Sequence, residues 1–364
     1  MRGIAVTVRD PRGRSEPSGG PLDSVTRHPT VRDIAAAADV SQSTAARALS
    51  GRGYVSRLVR TLVIETADRL GYVPNNIARS LRAQATGAVG VLISDLANPF
   101  YAEVANGIEQ VLRTRGYQML LADSDGLADA ESAALRTFQA MRVEGVILTP
   151  ATPSSDLVAS LVRGGLAVVE VDRLSNDSLC DGVVVENEAG AYQATRHLLE
   201  LGHQRVGLIV GETTYITGAG RLEGYVRALS DAGVRFDEEL VAYTSFHSVD
   251  AQAVARDLLK AHRDVTALFA TNTVLAQGAL RATLEARLKI PRDLSFVAFD
   301  DSDWMSFSSP PITTVAQPTL SIGREAATLM LDRLSGDLLG PPVVRELPTR
   351  FVRRESTGPV RKRP

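Results

Sequence analysis

The sequence predicts an α/β fold in two unequal parts: a small N-terminal unit of three short helices, then a long core of two lobes, each a doubly wound parallel sheet. Three observations carry this. Between Thr30 and Gly71, apolar residues recur at helical spacing behind Ser and Thr at cap positions. From Val89 onward, short continuous apolar runs alternate with helix-patterned stretches, the mark of βαβ units buried on both faces. Charge is also divided: residues 1–85 hold 13 Arg against 7 Asp or Glu, a net of +6, so the chain total of −2 leaves −8 on the remainder. A basic module on an acidic body calls for a polyanion partner at the N-terminal end alone.

The 364 residues, 44% hydrophobic, suit two or three domains of an ordinary soluble α/β protein, and no membrane partner is implied. Residues 1–29 carry Arg2, Arg9, Arg12, Arg14 and Arg27 among Pro, Gly and Ser, and read as a disordered basic tail. They lack the continuous apolar run of a signal peptide, so the expected compartment is the cytoplasm. A single cysteine, Cys180, agrees with that and reads as a small filler residue.

In the first unit, residues 30–73, Thr30 caps a helix with Asp33 three residues on, and Val31, Ile34, Ala35 and Ala38 form its apolar face. Asp39-Val40 makes a tight connection to a second helix, capped by Ser41, whose Ala45, Ala48 and Leu49 permit a close crossing. Its other face presents Gln42, Ser43 and Arg47, side chains that hydrogen-bond base edges or phosphates in a major groove. A third helix starts at the Ser56 cap, turns Val59, Val63, Ala67 and Leu70 inward, and ends at Gly71. This is helix-turn-helix spacing, with double-stranded DNA as the polyanion.

Residues 74–86 read as a hinge. Pro74 fits the first position of a short helix, and Ile77, Ala78 and Leu81 share one face. Such a helix is too short to persist alone in water, so it would form only when held by DNA and a partner subunit. Leu81 would then be an apolar wedge for a base step, with Asn76, Arg79 and Arg82 as further DNA-facing candidates. The same residues also fit an ordinary linker with one buried leucine.

The core spans 87–357. Its first strands are Val89–Ile93, opening into Ser94–Tyr101, then Gln118–Ala122 ending in Asp123 and Asp125, Gly145–Leu148, and Ala167–Val171 ending in Asp172-Arg173. A second set comprises Arg205–Val210, Ala267–Ala270 and Leu294–Phe299. Two facing lobes make a cleft, and ligands of open α/β sheets bind at the carboxyl ends of strands. The candidates gathered there are Asn98, Phe100, Tyr101, Asp123, Asp172 and Arg173 from the first lobe. Thr217, Arg221, Phe246, Asn272 and Asp300 come from the second, with Gln317 at the return. Carboxylates, amides and arginines fork across vicinal hydroxyls, and aromatic faces cover the apolar side of a sugar ring. Read singly, Asn98-Pro99 is also a turn, Arg221 a surface ion pair and Asp300-Asp301 a helix cap. Trp304 is a wall of the cleft or a seal at the lobe edge. After Gln317, a helix from Leu320 to Leu334 returns to the first lobe, and Val343–Val352 supplies a closing strand. The lobes are then about 87–186 with 317–345, and about 187–316 with 346–357, before a tail at 358–364.

The words Val31-Arg32-Asp33-Ile34-Ala35, Val40-Ser41-Gln42-Ser43-Thr44, Tyr72-Val73-Pro74-Asn75 and Ala78-Arg79-Ser80-Leu81-Arg82 resemble the lac repressor/galactose repressor family. In the core, Asn98-Pro99-Phe100-Tyr101, Val171-Asp172-Arg173, Arg221-Leu222-Glu223-Gly224-Tyr225, Phe299-Asp300-Asp301 and Thr314-Val315-Ala316-Gln317-Pro318 are similar to that family's effector positions. They are also similar to the ribose and galactose periplasmic binding proteins. Together the likenesses cover Thr30 to about Thr357. The resemblance implies a transcriptional repressor that reads its operator with Gln42, Ser43 and Arg47, aided by Thr30 and Thr44, and intercalates Leu81 in the minor groove. It implies a pentose or hexose effector between periplasmic-binding-protein-like lobes, and a homodimer on a near-palindromic operator.

Three positions depart from the pattern. Ala46 stands where the family usually has a Ser that holds a phosphate, Thr273 follows Asn272 where an Asp is common, and Tyr215 replaces the Arg expected of a purine-binding relative. A co-repressor or a non-sugar effector fits the same architecture. A transport-type binding protein accounts for the core but leaves Thr30–Arg82 without a role. Enzyme signals are missing: no Gly-x-Gly-x-x-Gly after a strand, no P-loop, no nucleophile elbow and no metal-spaced His or Cys. No cofactor or metal is therefore expected, and His28, His197, His203, His247 and His262 look scattered and without evident partners, with His197 and His203 flanking a helix end as structural residues.

Overall fold

A computed structural model describes residues 29–51, 53–72, 86–176 and 179–360. Residues 1–28 of the basic tail and the hinge candidates Asn76, Arg79, Leu81 and Arg82 lie outside the described residues. The chain divides into two compact units, the first holding three helices and the second everything from the first strand onward.

The first unit comprises α1 (Val31–Ala37), α2 (Gln42–Ser50) and α3 (Arg57–Arg69). Ile34, Ala35, Ala45, Ala48, Val63 and Ala67 form its core, and the alanines let the helices approach closely. Each helix starts at a side-chain cap: Thr30 in a capping box with Asp33, Ser41 accepting from the Thr44 N–H at 3.1 Å, Ser56 from that of Val59 at 3.4 Å. Asp39 makes the turn between α1 and α2 at φ +50°, a left-handed conformation that Asp tolerates better than most residues. One expectation is corrected. Leu70, counted as an inward residue, is 38% exposed, because α3 ends at Arg69 and the turn at Gly71 brings Tyr72 onto the core instead.

The second unit holds two lobes with the same winding. The first contains β1 (Ala88–Ile93), α4 (Pro99–Thr114), β2 (Gln118–Asp123), α5 (Ala128–Ala140), β3 (Gly145–Leu148), α6 (Asp156–Arg163), β4 (Ala167–Val171) and β5 (Asp181–Val185). The second contains α7 (Asn187–Glu200), β6 (Val206–Val210), α8 (Ile216–Asp231), a 3₁₀ turn at Glu238–Leu240, β7 (Val241–Tyr243), α9 (Ser248–Ala261), β8 (Ala267–Ala270), α10 (Thr273–Glu285), β9 (Ser295–Phe299), α11 (Asp303–Phe307) and β10 (Thr313–Ala316). α12 (Thr319–Ser335) returns to the first lobe, and β11 (Val344–Leu347) and β12 (Arg350–Val352) close the chain.

The sheet orders are β11-β5-β4-β3-β1-β2 and β12-β10-β9-β8-β6-β7, parallel throughout except for the antiparallel β10–β12 pair. Each sheet is covered on both faces, which is why its central strands are buried along nearly their whole length. In the first lobe, Val91, Ile93, Val169 and Val171 pack against α4 and α12, while Leu92, Val146 and Leu148 pack against α5 and α6. In the second, Leu268, Phe296 and Ala298 face α9 and α10, and Leu208, Phe269 and Phe299 face α7 and α8. The α4–α12 crossing is glycine-tight: a Cβ on Gly107 would run into the Leu320 carbonyl oxygen, and one on Gly323 into that of Val104.

The single closing strand expected over Val343–Val352 is two strands. Pro348-Thr349 separates them, since proline cannot donate to a ladder, so β11 extends the first sheet and β12 the second. The chain therefore passes between lobes three times: at Glu186, at Gln317-Pro318 and at Pro348-Thr349.

Candidate functional site

On the first unit, Gln42, Ser43 and Arg47 are exposed on α2, while Thr44 is half-buried. Ser41 Oγ lies 2.9 Å from Ser43 Oγ and 2.8 Å from Thr44 Oγ1, and Arg47 Nε donates to the Ser43 carbonyl at 3.2 Å. The hydroxyls at the start of α2 are thus organised by its cap. Thr30 Oγ1 is engaged as well, donating to Asp33 Oδ2 at 2.7 Å.

In the second unit, a cavity of about 180 Å³ opens where the strand ends of the two lobes face each other. Asn98, Phe100, Tyr101, Asp172 and Arg173 line it from the first lobe. Thr217, Arg221, Phe246, Asn272 and Asp300 line it from the second, and Gln317 lines it from a crossing. Asp123 departs from the expectation. Its carboxylate turns away to accept the Leu96 and Asp125 N–H groups, each at 2.9 Å, and Asp125 takes its place in the lining. Ser94, Asp95, Gly126 and Leu127 follow strands that the sequence marks, as does Glu212 after β6. Ser245 and His247 follow β7, whose three residues give no periodic signal. Tyr215 and Val274 complete the lining, whereas Trp304 packs on the second-lobe core outside it.

Two buried carboxylates anchor the site. Asp172 accepts from Tyr101 Oη at 2.9 Å and stands 3.7 Å from Arg173 Nε, an ion pair too long for a hydrogen bond, so Nε has no hydrogen-bond partner. Asp300 accepts the Thr273 N–H at 2.8 Å and Gln317 Nε2 at 2.6 Å. Arg221 donates to Asn187 Oδ1 at 2.9 Å and to the Thr271 carbonyl at 2.5 Å, with its guanidinium 3.9 Å from the Phe299 ring centroid. Burial pushes the Asp300 carboxyl up, only partly countered by Arg221, and burial also pulls the Arg221 guanidinium down. The Tyr101 phenol is raised by burial and by the Asp172 charge, so it remains a donor.

Contacts also bridge the lobes. The Arg173 guanidinium lies 4.4 Å from the Tyr215 ring centroid and 4.9 Å from that of Phe246. Tyr215 Oη donates to the Ala151 carbonyl of the first lobe at 2.6 Å. Thr217 Oγ1 and Gln317 Oε1 are buried without a protein partner. Such a set of unpaired polar atoms, aromatic faces and a buried acid in each lobe is suited to a compact polyhydroxylated ligand.

His197 and His203 do have partners, and these give them the structural role expected at a helix end. His197 Nε2 meets Thr357 Oγ1 at 2.9 Å, and His203 bridges Thr266 Oγ1 and the Gly358 carbonyl, both at 2.9 Å. Both fasten the C-terminal segment to the second lobe. Among the described residues, no group of three or more His, Cys, Asp or Glu is arranged to hold a metal ion, and no helix is long and apolar enough to cross a membrane.

Residues 30–75 match the bacterial regulatory proteins of the lacI family, and residues 195–357 match a periplasmic binding protein-like domain. The transcriptional regulator CelR of Thermobifida fusca is 35% identical over 338 residues, covering 91% of this chain and 98% of that one. The ribose operon repressor of Halalkalibacterium halodurans is 34% identical over 328 residues, covering 90% and 97%. A solved complex of the transcriptional regulator CelR with cellobiose superposes with a TM-score of 0.70 at 33% identity, covering 90% of this chain and 100% of that one. A helix-turn-helix head, a two-lobed core and likeness along nearly the whole length agree: the chain belongs to the lacI family of bacterial regulatory proteins.

Proposed function

We propose that this regulator is a homodimeric repressor whose hold on its operator is set by a small carbohydrate seated between the core lobes. The observation that carries the reading is the cavity itself, where Asp172 and Asp300 are presented from opposite lobes beside Phe100, Phe246 and Tyr215. Carboxylates forking onto vicinal hydroxyls, with an aromatic ring over the C–H face, are the means by which a protein holds a sugar. The cellobiose and ribose named for two relatives are of the same chemical class. On the head, exposed Gln42, Ser43 and Arg47 are the groups for base edges and phosphates. A two-fold dimer would place two such heads on the half-sites of a near-palindrome. Coupling between the sites must be reciprocal: operator DNA lowers sugar affinity by the factor by which sugar lowers operator affinity, typically about 1–3 kcal/mol.

The test is fluorescence anisotropy of a labelled duplex from the region upstream of the protein's own gene. The duplex is titrated with the full chain at fixed salt, with and without pentoses, hexoses and cellobiose. Release of the duplex by one sugar is the expected result. Tightening by a ligand reverses the sign of the switch, and indifference to every sugar removes the carbohydrate assignment.

A further inference from the structure

The bond from Tyr215 Oη to the Ala151 carbonyl joins the lobes, so its geometry depends on what holds Ala151 in place. The first sheet does not. β3 ends at Leu148, and the chain stays with the sheet only as far as Thr149, whose N–H donates to the Leu92 carbonyl at 2.9 Å. Two residues further on, the Ala151 N–H donates to Glu131 Oε2 at 2.7 Å. The hydroxyl of Ser155, the cap of α6, turns to the same carboxylate. One acid on α5 thus staples the segment that carries the acceptor for Tyr215.

Glu131 is an expensive residue for that position. It lies in the first turn of α5, 2% exposed. With Glu170 it lines a small cavity of about 10 Å³ whose lining includes no Lys or Arg, and burial pushes its carboxyl up. An apolar side chain of similar size would fill the space without desolvating a charge. What the carboxylate adds is an acceptor for the Ala151 N–H, with the positive end of α5 favouring its charge.

We infer that Glu131 is a positioning residue for the ligand cleft. From outside the cavity lining, it holds Ala151 where Tyr215 of the other lobe bonds to it, and so favours the closed cleft. The inference rests on the reading of the cleft as a ligand site, but the first half of its test needs no sugar.

The full chain is labelled with carbon-13 at tyrosine Cζ, and of its eight tyrosine resonances the one missing from Tyr215→Phe belongs to Tyr215. That resonance should move in Glu131→Met, which keeps the bulk and deletes the acceptor, and should keep its place in Glu131→Gln, which retains an acceptor. If Glu131→Met does not fold, Glu131→Asp, one methylene too short, takes its place with the same expectation. A Tyr215 resonance that ignores the change overturns the inference. Isothermal titration with cellobiose and with ribose reads the consequence: Kd should weaken roughly fivefold in Glu131→Met, the worth of one hydrogen bond, with no further loss when Tyr215→Phe is added. An unchanged Kd, or losses that multiply in the double variant, also overturns it. If neither sugar binds, the carbohydrate assignment falls, while the tyrosine resonance still decides the role of Glu131.

Discussion

Asp172 and Asp300 occupy the same place in the two lobes. Each follows the fourth strand of its lobe's winding, β4 or β9, each turns the chain at positive φ, +67° and +73°, and each donates its N–H to the next strand, to Val183 O at 3.0 Å and Val315 O at 2.9 Å. The left-handed turn lifts the side chain out of the strand direction while the backbone stays in the ladder. Aspartate tolerates that conformation better than a branched or bulky residue, so the geometry and the acid chemistry require the same residue type.

Asp300→Ala should abolish the sugar response and leave salt-sensitive DNA binding in place. It strips the acceptor from the Thr273 N–H and from Gln317 and leaves the buried Arg221 short of a countercharge, so unfolding free energy should also fall by about 2–4 kcal/mol. Urea melts and anisotropy on one preparation separate the effects. A normal sugar response would remove Asp300 from the site.

Tyr215→Phe deletes the bond from Tyr215 Oη to Ala151 that spans the lobes and keeps the ring beneath Arg173. If that bond favours the closed cleft, sugar affinity should drop roughly fivefold, the worth of about 1 kcal/mol. Titration calorimetry reads it directly, and an unchanged Kd would show that closure does not use this bond.

Arg47→Ala should weaken operator binding more than binding to a scrambled duplex, because the exposed side chain on α2 is placed to reach base edges. Equal loss on both duplexes, with a salt slope shallower by about 1, would make Arg47 a phosphate contact instead.

Stability should decline in mild acid. Burial lowers the pKa of both His197 and His203, whereas an unfolded histidine titrates near about 6.5, so the unfolded chain binds more protons in that range. Their contribution is complete above about pH 6.5 and is lost as pH falls from there through the lowered folded values. Tm should be level from pH 7 to 8 and fall from 6.5 towards 5, and His203→Gln should flatten that slope. An identical slope in the variant would place the titration elsewhere.

Much of this was legible locally. The caps Thr30, Ser41 and Ser56, and the acids closing the runs at Val171 and Phe299, are signals carried within a few residues of where they act. What the sequence hides are decisions taken between distant segments. Asp123 and Asp125 look interchangeable at a strand end until the Leu96 N–H, 27 residues earlier, claims the first carboxylate. Tyr215 registers in the sequence only as a missing arginine, because its partner Ala151 is 64 residues away in the other lobe. β7, three residues long, is an edge strand recruited by its neighbour rather than by its own pattern.

The three passages between lobes have a mechanical meaning. Three short tethers oppose sliding and separation of the lobes more than they oppose rotation about the crossings. One tether carries Gln317, whose amide grips Asp300 at 2.6 Å, so the cavity wall and the pivot share a residue. A ligand seated against Gln317 would bear on the crossing and on the cavity wall at once.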